Sequence, residues 1–254
     1  MDPSPLLATL LGFGAILVGN LLEGGHMSSL IQGTAFLIVV GGSVGATWLG
    51  STNEELKNLV KFTPRLIKPV LADRNKLAAD MLKASNVARR EGMLAVEGIL
   101  PQIEDAYLRK GLQMLVDGHS AEDVRKILEL EAEIEEHHHQ SVGKVWENVG
   151  AFCPTVGIVG AVLGLIHVMN NLDDAAAVGP GIAAAFTATL YGVGFANLTF
   201  IPVGNRLKKI AVSDMEVRQM VLTGLDAIAA GSNARQLEEM LAVYQHGHKK
   251  KEAA

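Results

Sequence analysis

The chain has 254 residues, 49% of them hydrophobic but only 5% aromatic, with 27 glycines, one cysteine and a formal net charge of −5. Its 22 Lys and Arg are absent from residues 1–49 and 150–203, and base-free stretches of that length argue against an ordinary soluble domain, whose surface carries scattered charge. A single cysteine excludes an intramolecular disulfide framework and a Cys-cluster metal site, and basic residues mixed among acids argue against nucleic-acid binding.

In chain order, each base-free stretch resolves into two apolar runs. They are residues 6–22 and 29–49, then 149–169 and 181–203, and none contains Asp, Glu, Lys or Arg. A bilayer core needs about 20 apolar residues of helix, so the expected fold is an all-α integral membrane protein with four spans. The start MDPSP lacks the positive charge of a signal peptide. Hairpins 1–49 and 149–203 enclose a segment, 50–148, in which 14 basic and 17 acidic residues accompany helical spacing, and 204–254 forms a second charged part. The links 23–28 and 170–180 carry acids but no Lys or Arg, so the positive-inside rule puts 50–148, 204–254 and both termini on the cytoplasmic side.

Ser120 and Asp123 read as a capping-box start. From there a helix with Val124, Ile127, Leu128, Ile134, Val142 and Val145 at near-helical intervals is expected to run into the third span. A tail helix is expected near 212–230, and a second one after an Asn233 cap. Lys249–Lys251 reads as a basic end near anionic headgroups. Pairs of small residues four apart, Gly41/Gly45, Gly42/Ala46, Gly157/Ala161 and Gly160/Gly164, favour close helix packing and an oligomer.

Polar groups inside the spans are hydroxyls and amides, among them Thr155, Thr187, Thr189, Tyr191 and Asn197, and His167 is the one titratable side chain there besides Cys153 and Tyr191. Ion carriers rely on intramembrane charged groups, so a proton-handling role needs a titrating group from somewhere else. Pro154 and Pro202 lie at matching depth near the cytoplasmic ends of spans three and four, where a missing backbone donor favours a hinge. His137–His139 follows an acidic run on the long helix; consecutive side chains diverge around a helix, so a solvated face is expected there and no metal site.

The block CPTVGIVGAVLGLIHVMNNLDDAAAVGPGIAAAFTATLYGVGFANLTFIPVGNRL (153–207), the loop segment ARREGMLAVE (88–97) and the tail piece NARQLEEML (233–241) resemble the MotA/PomA stator subunits of the bacterial flagellar motor. The resemblance covers nearly the whole chain. It implies a homopentamer around a dimer of a MotB-like partner that carries a peptidoglycan-binding domain and an essential transmembrane aspartate. Ion passage would turn the pentamer against the rotor protein FliG. It also implies rotor contact by Arg89, Arg90 and Glu97, with Arg89 and Glu97 read as lying on one helix about 12 Å apart. Hinge roles would fall to Pro154 and Pro202. An ion path or partner-facing surface would include Thr155, Ala161, Thr187, Thr189 and Tyr191. Sodium-driven members carry a threonine where Ala161 stands, so loss of that oxygen ligand favours H+ over Na+, with no cofactor and no enzymatic activity. Ala151 replaces an aspartate of several members, and Glu147, one turn back, is the substitute to consider.

Three other functions compete. An ExbB/TolQ-like proton-channel subunit would lack the hairpin 6–49 and the Arg89–Glu97 segment. A non-conducting membrane scaffold would call for a long coiled-coil tail, for which 204–254 leaves no room. A self-contained transporter would need its own intramembrane site, and no phosphate loop, nucleophile elbow or zinc motif supports an enzyme.

Overall fold

A computed structural model describes residues 2–69 and 72–252 of the chain, and among these every regular element is helical. Four helices are long and apolar enough to cross a bilayer: Ser4–Leu22, Met27–Leu49, Ala121–Met169 and Val178–Ala229. The chain forms two units, Met1–Pro69 with His138–Lys209, and Val70–His137 with Ile210–Ala254. These compact units are a different division from the expected one into spans and charged segments 50–148 and 204–254. The first part of the middle segment belongs with the spans, and the tail shares one core with the rest of the middle segment.

In the first unit, α1 (Ser4–Leu22) is apolar all round and buries no residue. The second span is not one continuous helix. It is built from α2 (Met27–Leu30), α3 (Gly33–Phe36), a π-helical turn Leu37–Gly41 and α4 (Gly42–Leu49), with Ile31 and Gln32 extended between α2 and α3. An interruption at this depth must have its backbone groups satisfied by protein. The Thr187 hydroxyl donates to the Ser29 carbonyl at 3.4 Å. The Tyr191 hydroxyl donates to the Leu30 carbonyl and accepts from the Gln32 N–H at 3.1 Å. Two polar residues of span four thus hold the break in span two. A helix α5 (Asn53–Phe62) follows, started by a full capping box between Thr52 and Glu55.

The third span is the last part of α8 (Ala121–Met169), which runs unbroken from its Ser120 cap as expected. The fourth comprises α9 (Ala175–Phe195), a π-helical turn Ala196–Phe200 and α10 (Ile201–Ala229). It begins earlier than the expected residue 181, because Asp174 caps it by accepting from the Ala176 N–H at 3.0 Å. It also continues straight into the helix expected only from 212.

These two helices meet along a seam of glycines. On α8, Gly143, Gly150, Gly157 and Gly164 recur every seven residues, the repeat that keeps one side chain row facing a supercoiled neighbour. A Cβ at Gly157 would stand 3.0 Å from the Ala188 carbonyl oxygen, one at Gly164 3.0 Å from Ala185, and one at Gly150 2.6 Å from Ile201. From the other side, a Cβ at Gly192 would stand 2.6 Å from the Cys153 carbonyl oxygen. The backbones therefore approach as closely as side-chain-free positions permit. Outside the seam, Phe195 gathers Phe13, Phe36, Tyr191 and Phe200 at ring-centroid distances of 5.5–6.3 Å, and Trp146 stacks on Phe200.

The second unit is a soluble-type helical core. α6 (Arg74–Glu91), a 3-10 stretch Met93–Gln102, α7 (Ala106–Val116), the first turns of α8, the end of α10 and α11 (Ala234–Glu252) enclose Met81, Val96, Leu112, Leu128, Met220 and Leu237. Asn233 caps α11 as expected, accepting from the Gln236 N–H at 2.7 Å. Arg74, nearly buried, joins three elements: its guanidinium pairs with Glu216 at 2.8 Å and donates to the Tyr244 carbonyl at 2.8 Å. Burial pushes the Tyr107 hydroxyl above its ordinary pKa, and it donates to the Leu128 carbonyl at 2.8 Å. Of the positions expected to line the long helix, Val124, Leu128, Val142 and Val145 are buried, while Ile127 and Ile134 are exposed. Lys249–Lys251 lies outside the residues whose side chains are described.

Gly157→Val should destabilise the protein by about 1–3 kcal/mol through overpacking, whereas Gly14→Val, where a Cβ meets nothing within 4 Å, should change little; thermal unfolding of the two variants in the same detergent gives the comparison. Tyr191→Phe removes the hydroxyl that serves two backbone groups of span two and should cost about 1–2 kcal/mol. Its signature is faster hydrogen exchange at residues 29–33, and unchanged protection there would contradict this account.

Candidate functional site

Arg89, Arg90 and Glu97 are exposed, and none has an ion-pair partner among the described residues. They do not lie on one helix. α6 opens on Asp73, whose carboxylate accepts from the Asn75 and Lys76 N–H groups, and closes at Gly92 with φ +91°. A side chain rarely adopts that conformation, so the glycine turns the chain sharply. Arg89 and Arg90 then occupy the last turn of α6, where their charge opposes the free carbonyls. Glu97 stands on the following 3-10 stretch, between the buried anchors Val96 and Leu100. The single-helix spacing assumed for Arg89 and Glu97 is corrected by this turn. The signal was present in the sequence as the glycine between them.

The membrane-facing polar residues separate into two groups. Thr155 and Thr189 are exposed on spans three and four. They stand among open apolar positions such as Ile158, Val162, Phe186 and Val193. Ala161 is half-buried on the same span as Thr155. Thr187 and Tyr191 instead bring their hydroxyls to the break in span two, where they bond backbone groups at Ser29, Leu30 and Gln32.

Pro154 sits in the seam. A Cβ on Gly192 would stand 3.2 Å from the Pro154 Cα, so the one helix turn of α8 that lacks a backbone donor is also among the closest to its neighbour. Pro202 is exposed and stands two residues after the π-helical turn Ala196–Phe200. The wider turn lies where the proline ring would otherwise meet the carbonyl four residues back.

At the inner end of the seam, Lys208 pairs with Glu147 at 2.5 Å, next to Gly143 and Gly204, whose added Cβ atoms would touch each other's carbonyls at 2.8 and 2.5 Å. Ala151 is exposed. The histidine run is not a solvated face throughout. His137 is exposed, His138 faces Glu54 at 3.4 Å, and His139 is buried against the Phe62 ring at 4.2 Å, because α5 packs over this part of α8. No group of three or more His, Cys, Asp or Glu among the described residues is placed to hold a metal. Sequence reasoning missed the Arg74 junction and the Glu147–Lys208 pair, since both link positions far apart in the chain. The seven-residue glycine repeat was visible but masked by the four-residue pairs that overlap it.

The family model for motility protein A N-terminal regions matches residues 7–90, and that of the MotA/TolQ/ExbB proton channel family matches residues 100–220. Motility protein A of Bacillus subtilis (strain 168) is 31% identical over 274 aligned positions that take in the whole of both chains. A chain of the C. jejuni MotAB structure superposes with a TM-score of 0.91 at 33% identity, covering 96% of each chain. One from the flagellar MotAB stator complex of Bacillus subtilis superposes at 0.86 with 32% identity, covering 95% of each. The same four spans, the same charged loop and the same tail are thus matched along nearly the full length, and the chain belongs to the motility protein A family within the MotA/TolQ/ExbB proton channel family.

Proposed function

We propose that this chain is the channel-wall and lever subunit of a flagellar motor stator, assembled as a homopentamer around a dimer of a MotB-like subunit. The observation that carries this reading is the absence of any Asp, Glu, Lys or Arg from the four apolar spans of a proton-channel-family chain. A membrane wall without its own proton carrier requires one from a partner helix. The exposed apolar faces around Thr155 and Thr189 are suited to receive such helices, as the MotAB assemblies that this chain resembles suggest. The protein would reside in the bacterial inner membrane with both termini in the cytoplasm, consistent with its basic residues lying only in the charged parts, and it would carry no enzymatic activity.

Torque would pass to FliG through Arg89, Arg90 and Glu97. Exposed, unpaired charges suit a contact that must form and release quickly, because screened attraction raises association rates more than it deepens binding. Pro154 and Pro202 would let the two seam helices bend as the ion passes. The coupling ion would be H+, since Ala161 supplies no oxygen where a hard cation such as Na+ would need one.

Charge reversal at Arg89 and at Glu97 should each reduce swimming several-fold, with normal stator recruitment to the motor. Restoration of Arg89→Glu by a compensating reversal on the rotor protein would assign the contact. Normal swimming of the single and double reversals would remove these residues from the interface. Swimming should stop with a protonophore and be indifferent to sodium; sodium-dependent swimming that survives the protonophore would overturn proton coupling.

A further inference from the structure

The helix α5 offers a charged surface to which the proposed stator role assigns nothing. It follows span two after three residues and lies along α8, and two contacts fix its direction. Near its start, Glu54 faces His138 at 3.4 Å. Just past its end, the Thr63 hydroxyl accepts from the Trp146 indole N–H at 3.0 Å. Trp146 is eight residues beyond His138, about 12 Å further along α8, and the third apolar run opens at 149. The chain therefore leaves the membrane at Leu49 and climbs back toward it along α5. It reaches the start of the first span: the Asp2 N–H donates to the Ile67 carbonyl at 2.9 Å, two residues before α1 opens at Ser4.

The outward side of this returning arm carries Lys57, Val60, Lys61, Pro64 and Lys68, all exposed, with Val60 at 74%. Residues 57, 60, 61 and 64 are spaced as one helix face. The opposite face, with Phe62 and Thr63, is the one that meets α8. The carboxylates at this end of the unit are already engaged. Asp2 pairs with Arg206, Glu147 with Lys208, Glu54 with His138, and Glu55 is taken up by the Thr52 cap. Lys57, Lys61 and Lys68 have no acidic partner among the described residues. Lys61 has only the Phe62 ring, with its ammonium 5.4 Å from the centroid.

We propose that this arm is a binding surface for the anionic phospholipid headgroups of the inner leaflet, with Lys57, Lys61 and Lys68 neutralising phosphates and Val60 entering the headgroup region between them. Three unpaired cations, Lys57 and Lys61 on α5 and Lys68 in the bend after it, match the negative potential of that leaflet, which falls off within a Debye length. An exposed valine among lysines matches the amphipathic character of the interface. The proposal rests on the four spans crossing a membrane; it does not depend on torque generation, so the motility experiments and this one fail separately.

The test is lipid retention by the full-length protein in neutral detergent, read by native mass spectrometry with equal amounts of phosphatidylglycerol and phosphatidylcholine. Wild type should retain phosphatidylglycerol at least fivefold over phosphatidylcholine, and the preference should weaken as salt is raised. The K57Q/K61Q/K68Q variant should lose it. K57R/K61R/K68R should keep it, and so should K83Q/R109Q/K126Q, which removes the same charge from the second unit. Equal retention of both lipids by wild type, or equal loss in the two Gln triples, would overturn the proposal. So would displacement of phosphatidylglycerol by millimolar inorganic phosphate, which would reassign the surface to a soluble anion.

Discussion

The close approach of α8 to α9 and α10 is the constraint on which the rest of the structure depends. A glycine inside a helix costs about 1 kcal/mol relative to alanine, and α8 places four of them at seven-residue intervals in one row. In lipid, apolar side chains gain nothing by leaving their surroundings, so association relies on close van der Waals contact. The row makes that contact possible from Gly143 to Gly164. With the two backbones in contact, the other residues of both helices are left to face outward, which is why so many large apolar groups on spans three and four stand exposed in a single chain.

The same constraint explains where the irregularities sit. Pro154 interrupts the hydrogen-bond ladder of α8 beside Gly192, and the π-helical turn 196–200 interrupts that of the partner helix just before Pro202. Each helix thus gives up regularity where the other can support it. Span two shows the converse solution. Its break at Ile31 and Gln32 is held by hydroxyls from span four, so Tyr191 and Thr187 act as fasteners within the chain.

Much of the fold was legible in the sequence because the bilayer simplifies the problem. Uncharged runs of about 20 residues and the distribution of Lys and Arg identify the spans, and the Ser120 and Asn233 caps sit where the sequence put them. What was not legible depends on distant partners. The break in span two reads as ordinary apolar sequence, because the groups that complete it lie some 160 residues away. His139 looked solvated because the ring that packs on it, Phe62, comes from α5, some 77 residues away in the chain. Thr187 and Thr189 are chemically alike and two residues apart on span four, and only the placement of span two separates the buried one from the exposed one. The Arg89–Glu97 geometry failed for a local reason: Gly92 takes a left-handed φ that an uninterrupted helix cannot contain.

The first helix stands apart from all of this. No residue of α1 is buried. Its attachments include the contact of Gly12 with Leu198, the Phe13–Phe195 ring pair, the clasp of Arg206 on Asp2 and Ser4, and the bond of the Asp2 N–H to the Ile67 carbonyl. With so few points of hold, sequence change along α1 is filtered by little beyond hydrophobicity. Neutral drift should therefore gather there, while the glycine row of α8 stays fixed. Two helices of the same membrane domain would then record very different rates of divergence.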